Sequence, residues 1–272
     1  MRSIITTTFL LLFLVNFSGG CGGNQPVKPP TLHDETARHT AAFARNMKLG
    51  RYTLALSDAE MALAVNRILD RDDQVAVSLN NLGTVQERLG NFEKAEVSYE
   101  ESVGLSRKTG EEMILGVALN NLAGMIVESD AAKAESLARE AERLGAKGSW
   151  PGIRARAIHN RARAALERGA IDESRALCDL ALALAVSVNE MGTRAACLVT
   201  LGRLEASRGD NAAAVRFVKE ALAIDRDLED PYAIALDYTR LAEIQEVSGD
   251  EAGAAASRKK AGEIFFILGI EK

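Results

Sequence analysis

The sequence predicts an all-α solenoid of six stacked helix–turn–helix repeats, and three observations lead there. The stretch LNNLG, Leu79 to Gly83, returns as LNNLA, Leu119 to Ala123, after a step of 40 residues. Segments 48–63, 88–103, 167–182, 207–222 and 247–262 then align without gaps, with turn glycines at Gly50, Gly90, Gly169, Gly209 and Gly249. Composition agrees: the 272 residues hold five prolines and much alanine, which gives up no side-chain entropy in a helix. Self-similarity at a fixed period marks arrays whose units cannot bury their apolar faces alone and stack into one continuous core.

The chain begins with a separate element. Arg2 supplies a positive charge, and Ile4 to Phe17 is an apolar run broken by threonines and Asn16. That run is short of the ~20 residues a bilayer-spanning helix needs, and it suits a secretory signal. Ser18, Gly19 and Gly20 lead into Cys21, and the arrangement resembles a bacterial lipoprotein signal, with Ser18 where the motif usually has leucine. The resemblance implies a signal peptide over 1–20 and an acylated Cys21 at the mature N-terminus. Residues 21–35, rich in glycine and proline, read as a flexible tether. Gly22 after the cysteine implies sorting to the outer membrane, facing the periplasm. Membrane contact is expected through the lipid anchor only. Ordinary secretion with cleavage nearby is the alternative.

The repeats occupy 36–272, at about residues 36–70, 76–110, 116–148, 155–189, 195–229 and 235–268. Before each turn, small or apolar residues recur at helical spacing, as in Leu79, Leu82, Gly83 and Gln86. After it a stripe of small residues follows: Ala55, Ala59 and Ala62; Ala95, Tyr99 and Ser102; Ala214, Val218 and Ala221. Such a stripe lets two helices approach closely. The third repeat carries Asp130 in place of the turn glycine, the fourth has Arg161 at a core position, and the sixth has Arg258 at a packing position.

The pattern resembles the tetratricopeptide repeat, best in the second copy through Leu79, Leu82, Gly83, Gly90, Phe92, Ala95 and Tyr99. The period, longer than the commonest 34 residues, is like that of kinesin light chains. The resemblance covers roughly Thr36 onward and implies a right-handed superhelix whose first helices line a concave groove. It also implies a non-enzymatic scaffold that binds a protein or peptide partner there.

On that geometry Asn80, Asn81, Asn120, Asn121 and Asn160 are expected to face the groove, where an amide both donates to and accepts from a peptide backbone. The alternative is that these asparagines cap or bridge neighbouring repeats. Arg156, His159, Arg163, Arg203 and Arg240 lie further along the same face and suit an acidic segment or a free carboxylate, or else pair with local acids such as Glu167 and Glu205. Cys178 and Cys197, brought together by adjacent repeats, are expected as buried thiols, with a disulfide as the alternative. Trp150 is expected to pack the joint between the third and fourth repeats. Ile264, Phe265, Phe266, Ile267 and Leu268 replace the usual polar cap and are expected to form an interface, with a partner or a second copy in a homodimer, rather than fold back onto the sixth repeat.

Net charge is −5, and aromatic residues make up 5%, without the basic, aromatic-interleaved surface of a nucleic-acid binder. No nucleophile–base pair, metal-spaced cysteine set or phosphate loop is legible, so neither an enzyme nor a cofactor is expected. The expected molecule is a lipid-anchored scaffold of the cell envelope. A pilotin-like assembly factor for a secretin, pilus or outer-membrane complex is the second expectation.

Overall fold

The computed structural model describes residues 31–270, so the signal and Cys21 lie outside the described residues. Twelve helices follow one another: α1 (Leu32–Lys48), α2 (Tyr52–Ile68), α3 (Asp72–Arg88), α4 (Phe92–Thr109), α5 (Glu112–Ile126), α6 (Ala131–Lys147), α7 (Pro151–Glu167), α8 (Ile171–Ser187), α9 (Met191–Ser207), α10 (Asn211–Asp227), α11 (Pro231–Val247) and α12 (Glu251–Ile267). Each packs on the helix before and the helix after it, and the odd-numbered helices also touch one another, forming the inner layer. The repeats start about one turn earlier than the core pattern suggested. Residues 32–35, expected in the tether, form the first turn of α1 under a reciprocal Thr31–Asp34 capping box. No described helix is long and apolar enough to cross a membrane.

The turns explain the spacing of the glycines. Gly90, for example, sits at φ +78°, a left-handed conformation that ends α3 and that residues with a Cβ adopt at a cost of about 1–2 kcal/mol. The third repeat avoids this turn. There α5 is shorter, 15 residues, and Asp130 caps α6 by accepting from the Lys133 amide.

Within each repeat the two helices meet at one register position, and the residues there are matched in size. Gly83 faces Tyr99, and a Cβ on Gly83 would stand 2.7 Å from the tyrosine ring. Gly202 faces Val218 in the same way, at 2.8 Å. The corresponding pairs in the first, third and fourth repeats are Phe43 with Ala59, Ala123 with Ala138, and Ala162 with Cys178, a large residue set against a small one or two small ones together. All of these residues are buried. The sixth repeat differs, with the exposed Arg258 at this position. Cys178 and Cys197 are free thiols, and Cys178 donates to the Cys197 carbonyl at 3.2 Å.

The superhelix winds far enough for its ends to meet. Tyr232, at the start of α11, stacks edge-on against Tyr52 of α2 and Phe265 of α12, with ring centroids 6.3 and 6.0 Å apart. Arg88, at the end of α3, lies 4.4 Å over the same Tyr232 ring and 3.5 Å from Asp230. Leu268 fills the space beside Gly50, where a Cβ would stand 2.5 Å from its methyl. One core cluster therefore contains residues from both α1–α3 and α10–α12.

This closure corrects the expectation for the C-terminal strip. Phe265 and Leu268, three apart on one helix face, are buried against the chain's own first repeats, and Ile264 is partly buried beside them. Only Phe266 and Ile267, 86% and 80% exposed, point outward. Arg161 and Arg258 are likewise accommodated by charge: Arg161 donates to Glu135 and Glu142 across α6, and Arg258 pairs with Glu246.

Two alanine substitutions should therefore move stability in opposite directions in urea unfolding. Gly104→Ala, on the exposed face of α4 with open space around it, should stabilise by up to about 1 kcal/mol through helix propensity. Gly83→Ala carries the same propensity gain but should destabilise by about 1–3 kcal/mol, because its methyl meets the Tyr99 ring.

Candidate functional site

The inner face is built by α3, α5, α7, α9 and α11, and the asparagine pattern maps onto it in two layers. Asn120 and Asn160 are buried, at 2% and 3% exposure. The Asn160 amide donates to the Asn120 carbonyl at 2.8 Å, and the Asn120 amide donates to the Ile153 carbonyl at 2.9 Å. These two join neighbouring repeats instead of facing the groove, a correction to their expected role. A Cβ on Gly124 would stand 3.3 Å from the Asn160 amide oxygen, so the glycine is what lets that side chain slip between α5 and α7.

The outer layer is more open. Asn121 donates to the Asn80 amide oxygen at 3.0 Å, and Arg156 donates to the Asn121 amide oxygen at 3.3 Å, so a polar chain crosses three repeats on the groove surface. Asn81 beside it is half-buried and has no hydrogen-bond partner among the described residues.

The basic residues separate in the same manner. Arg163 donates to the Gly124 carbonyl at 2.8 Å and lies 3.8 Å from Glu128. Arg203 pairs with Glu167 at 2.8 Å, while Arg240 pairs with Glu243 at 2.9 Å and approaches Glu128. His159 is buried against Thr200 at 3.0 Å, and burial, with Arg163 and Arg156 nearby, pushes its pKa down to about 3. It is neutral near pH 7, so it adds no charge to the groove. Arg156 is exposed and is the member of the set without a carboxylate partner among the described residues.

Two cavities open on this face. A polar one of about 460 Å³ lies between the C-terminal ends of α3 and α5 and the N-terminal halves of α9 and α11, lined by these arginines together with Glu87, Arg88, Asp225, Asp230, Tyr232 and Asp237. An apolar one of about 560 Å³ lies towards the N-terminal ends of α3, α5 and α7, between Val77, Met113, Ile114, Val117, Trp150 and Ile153, with Asn80, Asn81, Arg156 and Glu190 around it. Trp150 thus lines a cavity as well as marking the joint between repeats. Arg156 borders both cavities.

The sequence reading did not pick out the buried acids Asp225 and Asp237, 6% and 3% exposed, in the wall of the polar cavity. Burial raises both; the Asp225 charge and hydrogen bond raise Asp237 further, the same hydrogen bond holds Asp225 lower, and the Asp230 charge raises each. The pair titrates at about 6 and about 8, so it holds a shared proton near neutrality. One oxygen of Asp237 is buried without a hydrogen-bond partner among the described residues. Twelve residues separate the two acids across a turn, so each alone passes for an ordinary surface charge in the sequence. The apolar cavity left a clearer trace, because Val77 and Val117 occupy one inner-face position in successive repeats. Among the described residues, no group of three or more His, Cys, Asp or Glu could hold a metal ion.

A tetratricopeptide repeat family model matches residues 34–108 and 154–227, more than half of the chain, and the protein belongs to that family. Its six helix pairs form the solenoid of that fold. The apo form of RapI is similar in structure, with a TM-score of 0.70 at 10% identity, over 85% of this chain and 83% of that one. A Rap protein complexed with Competence and Sporulation Factor matches with a TM-score of 0.65 at 13% identity, over 88% and 76% of the two chains. A putative kinesin light chain from Podosopora anserina with nearly identical TPR-like repeats matches at 0.52 and 20% identity, over 70% of this chain and 94% of that one. Among curated proteins, none matches the sequence.

The acid pair makes stability depend on pH. A carboxyl whose folded pKa lies above its ordinary value binds more protons folded than unfolded, so its contribution is present in acid and is lost as pH rises through the folded value. Stability should fall from about pH 4, where an unfolded carboxyl ionises, to about pH 8, most steeply below about pH 6 where both acids contribute. Asp237→Asn should flatten that fall and raise Tm at alkaline pH by roughly 2–4 °C for each kcal/mol recovered. His159 acts in the opposite sense below its ordinary pKa, but it is common to both proteins, so differential scanning calorimetry of the two across pH isolates the pair.

Proposed function

We propose that this protein is a membrane-anchored interaction scaffold of the bacterial cell envelope, holding a partner segment in its concave groove. The observation that carries the groove reading is the unspent polarity there: among the described residues the Asn81 side chain has no partner and Arg156 no carboxylate, in a surface where other polar side chains are paired. Family membership supports a protein-binding scaffold, and a similar fold, that of a Rap conjugation gene regulator, is found in complex with the Phr* peptide. Anchoring rests on the apolar run ending at Cys21, and the outer membrane facing the periplasm is the destination proposed with it. The interior chemistry is that of binding, since the inner face holds amides, paired arginines and a neutral histidine rather than an activated nucleophile.

A second reading, an assembly factor for a secretin, pilus or outer-membrane complex, is favoured by Phe266, Ile267 and Val247, all more than three-quarters exposed near the C-terminal end. In it the apolar end contacts the assembling complex or a second copy of this chain.

Affinity capture from detergent-solubilised membranes should separate the two. An Asn81→Ala, Arg240→Ala variant with an unchanged circular dichroism spectrum should lose the partner by tenfold or more, at about 1.4 kcal/mol per tenfold. Loss caused instead by Phe266→Ser, Ile267→Ser would favour the assembly reading. Cys21→Ser should shift the protein from the membrane to the soluble fraction, and mass spectrometry of the wild type should find acyl chains on the N-terminal peptide.

A further inference from the structure

The apolar cavity and its rim define what kind of segment the groove takes, an inference that rests on the peptide-binding reading above. Its walls are Val77, Met113, Val117, Trp150 and Ile153, contributed by three consecutive repeats. Met113 is 53% exposed although it sits in a concave surface where a methionine could have been covered. Around this apolar space stand three polar groups with no ionic partner among the described residues. Asn81 has a free amide, Arg156 donates only to the neutral Asn121, and Glu190 has no ion pair. Elsewhere on the inner face the arginines meet acids: Arg163 with Glu128, Arg203 with Glu167 and Arg240 with Glu243.

We infer that the cavity is a specificity pocket for a peptide carrying one large apolar side chain next to an acidic residue. The apolar side chain enters between Met113, Val117 and Trp150. The peptide backbone exchanges hydrogen bonds with the free Asn81 amide, which suits it because a peptide unit also donates and accepts. The adjoining carboxylate pairs with Arg156, which lies where the apolar cavity meets the polar one. A guanidinium takes a carboxylate through two parallel hydrogen bonds, so this contact fixes orientation as well as charge. Glu190, near Gly152 at the start of α7, repels acid on the other side of the pocket, so the acidic residue is accepted on the Arg156 side. Apolar residues without the acid, or with a base in its place, bind less well.

The pocket carries its own reporter, because Trp150 is the single tryptophan of the sequence. Random heptapeptides displayed on phage, selected against the purified protein, should be enriched for an apolar residue beside Asp or Glu. Synthetic copies should change Trp150 fluorescence saturably. Replacing the acid by Gln should weaken binding about tenfold, and by Lys more. On the protein, Arg156→Glu changes an exposed side chain and should abolish the preference for acid. Val117→Glu should block the pocket, and Glu190→Gln should tighten binding. Selected peptides that bind wild type and Arg156→Glu alike and leave Trp150 unmoved would overturn the pocket and leave the groove reading standing. If no peptide is enriched over an unrelated helical protein, both readings fall.

Discussion

The close approach of two helices at one point in each repeat is the constraint on which the molecule depends. At that point the chain sets a glycine against a tyrosine, a glycine against a valine, or two small residues together. A small residue on at least one side of each pair lets the two helices approach closely, so that non-identical units can stack in one array. The groove inherits its regularity from this matching, since the inner helices can be no better aligned than the pairs to which they belong.

A second constraint comes from the closure of the superhelix. In an open solenoid each repeat touches only its neighbours, and the concave face is a trough accessible along its length. Here Tyr232 brings α2, α11 and α12 together, with Arg88 stacked on its ring. The polar cavity lies beside this seam and the apolar one away from it. Burial at the seam also accounts for Asp225 and Asp237: carboxyls that a surface would leave ionised are dry enough here to share a proton.

Much of this was legible in the sequence because repeats average over local accidents. The LNNLG period, the turn glycines and the small-residue stripe each rest on copies that agree, and they located the core and the inner face. What escaped was set by contacts between distant parts of the chain. Asn120 and Asn160 carry the same pattern as Asn81, yet they are covered because Gly124 lets the next helix close over them. The IFFIL strip read as one apolar surface, but the first repeat lies against one side of it, so Phe265 and Leu268 are covered while Phe266 and Ile267 between them are exposed. Arg161 read as a departure from the family pattern and is balanced by two acids on the preceding helix. A single repeat contains none of these partners, so no amount of reading along the period would have produced them.

The return of the sixth repeat to the first gives the array the mechanics of a hoop. A linear stack frays from its ends, because a terminal unit has one neighbour and little to lose by detaching. In a hoop the terminal units each have two, and releasing either one also uncovers the other. The first and last repeats therefore each gain support from the other, and the weakest seam moves to the interior. The third repeat is the natural place for it, where α5 is the shortest helix and the left-handed glycine turn is missing. That repeat also contributes Met113, Ile114 and Val117 to the apolar cavity, so a segment bound there would also brace the weakest member of the ring.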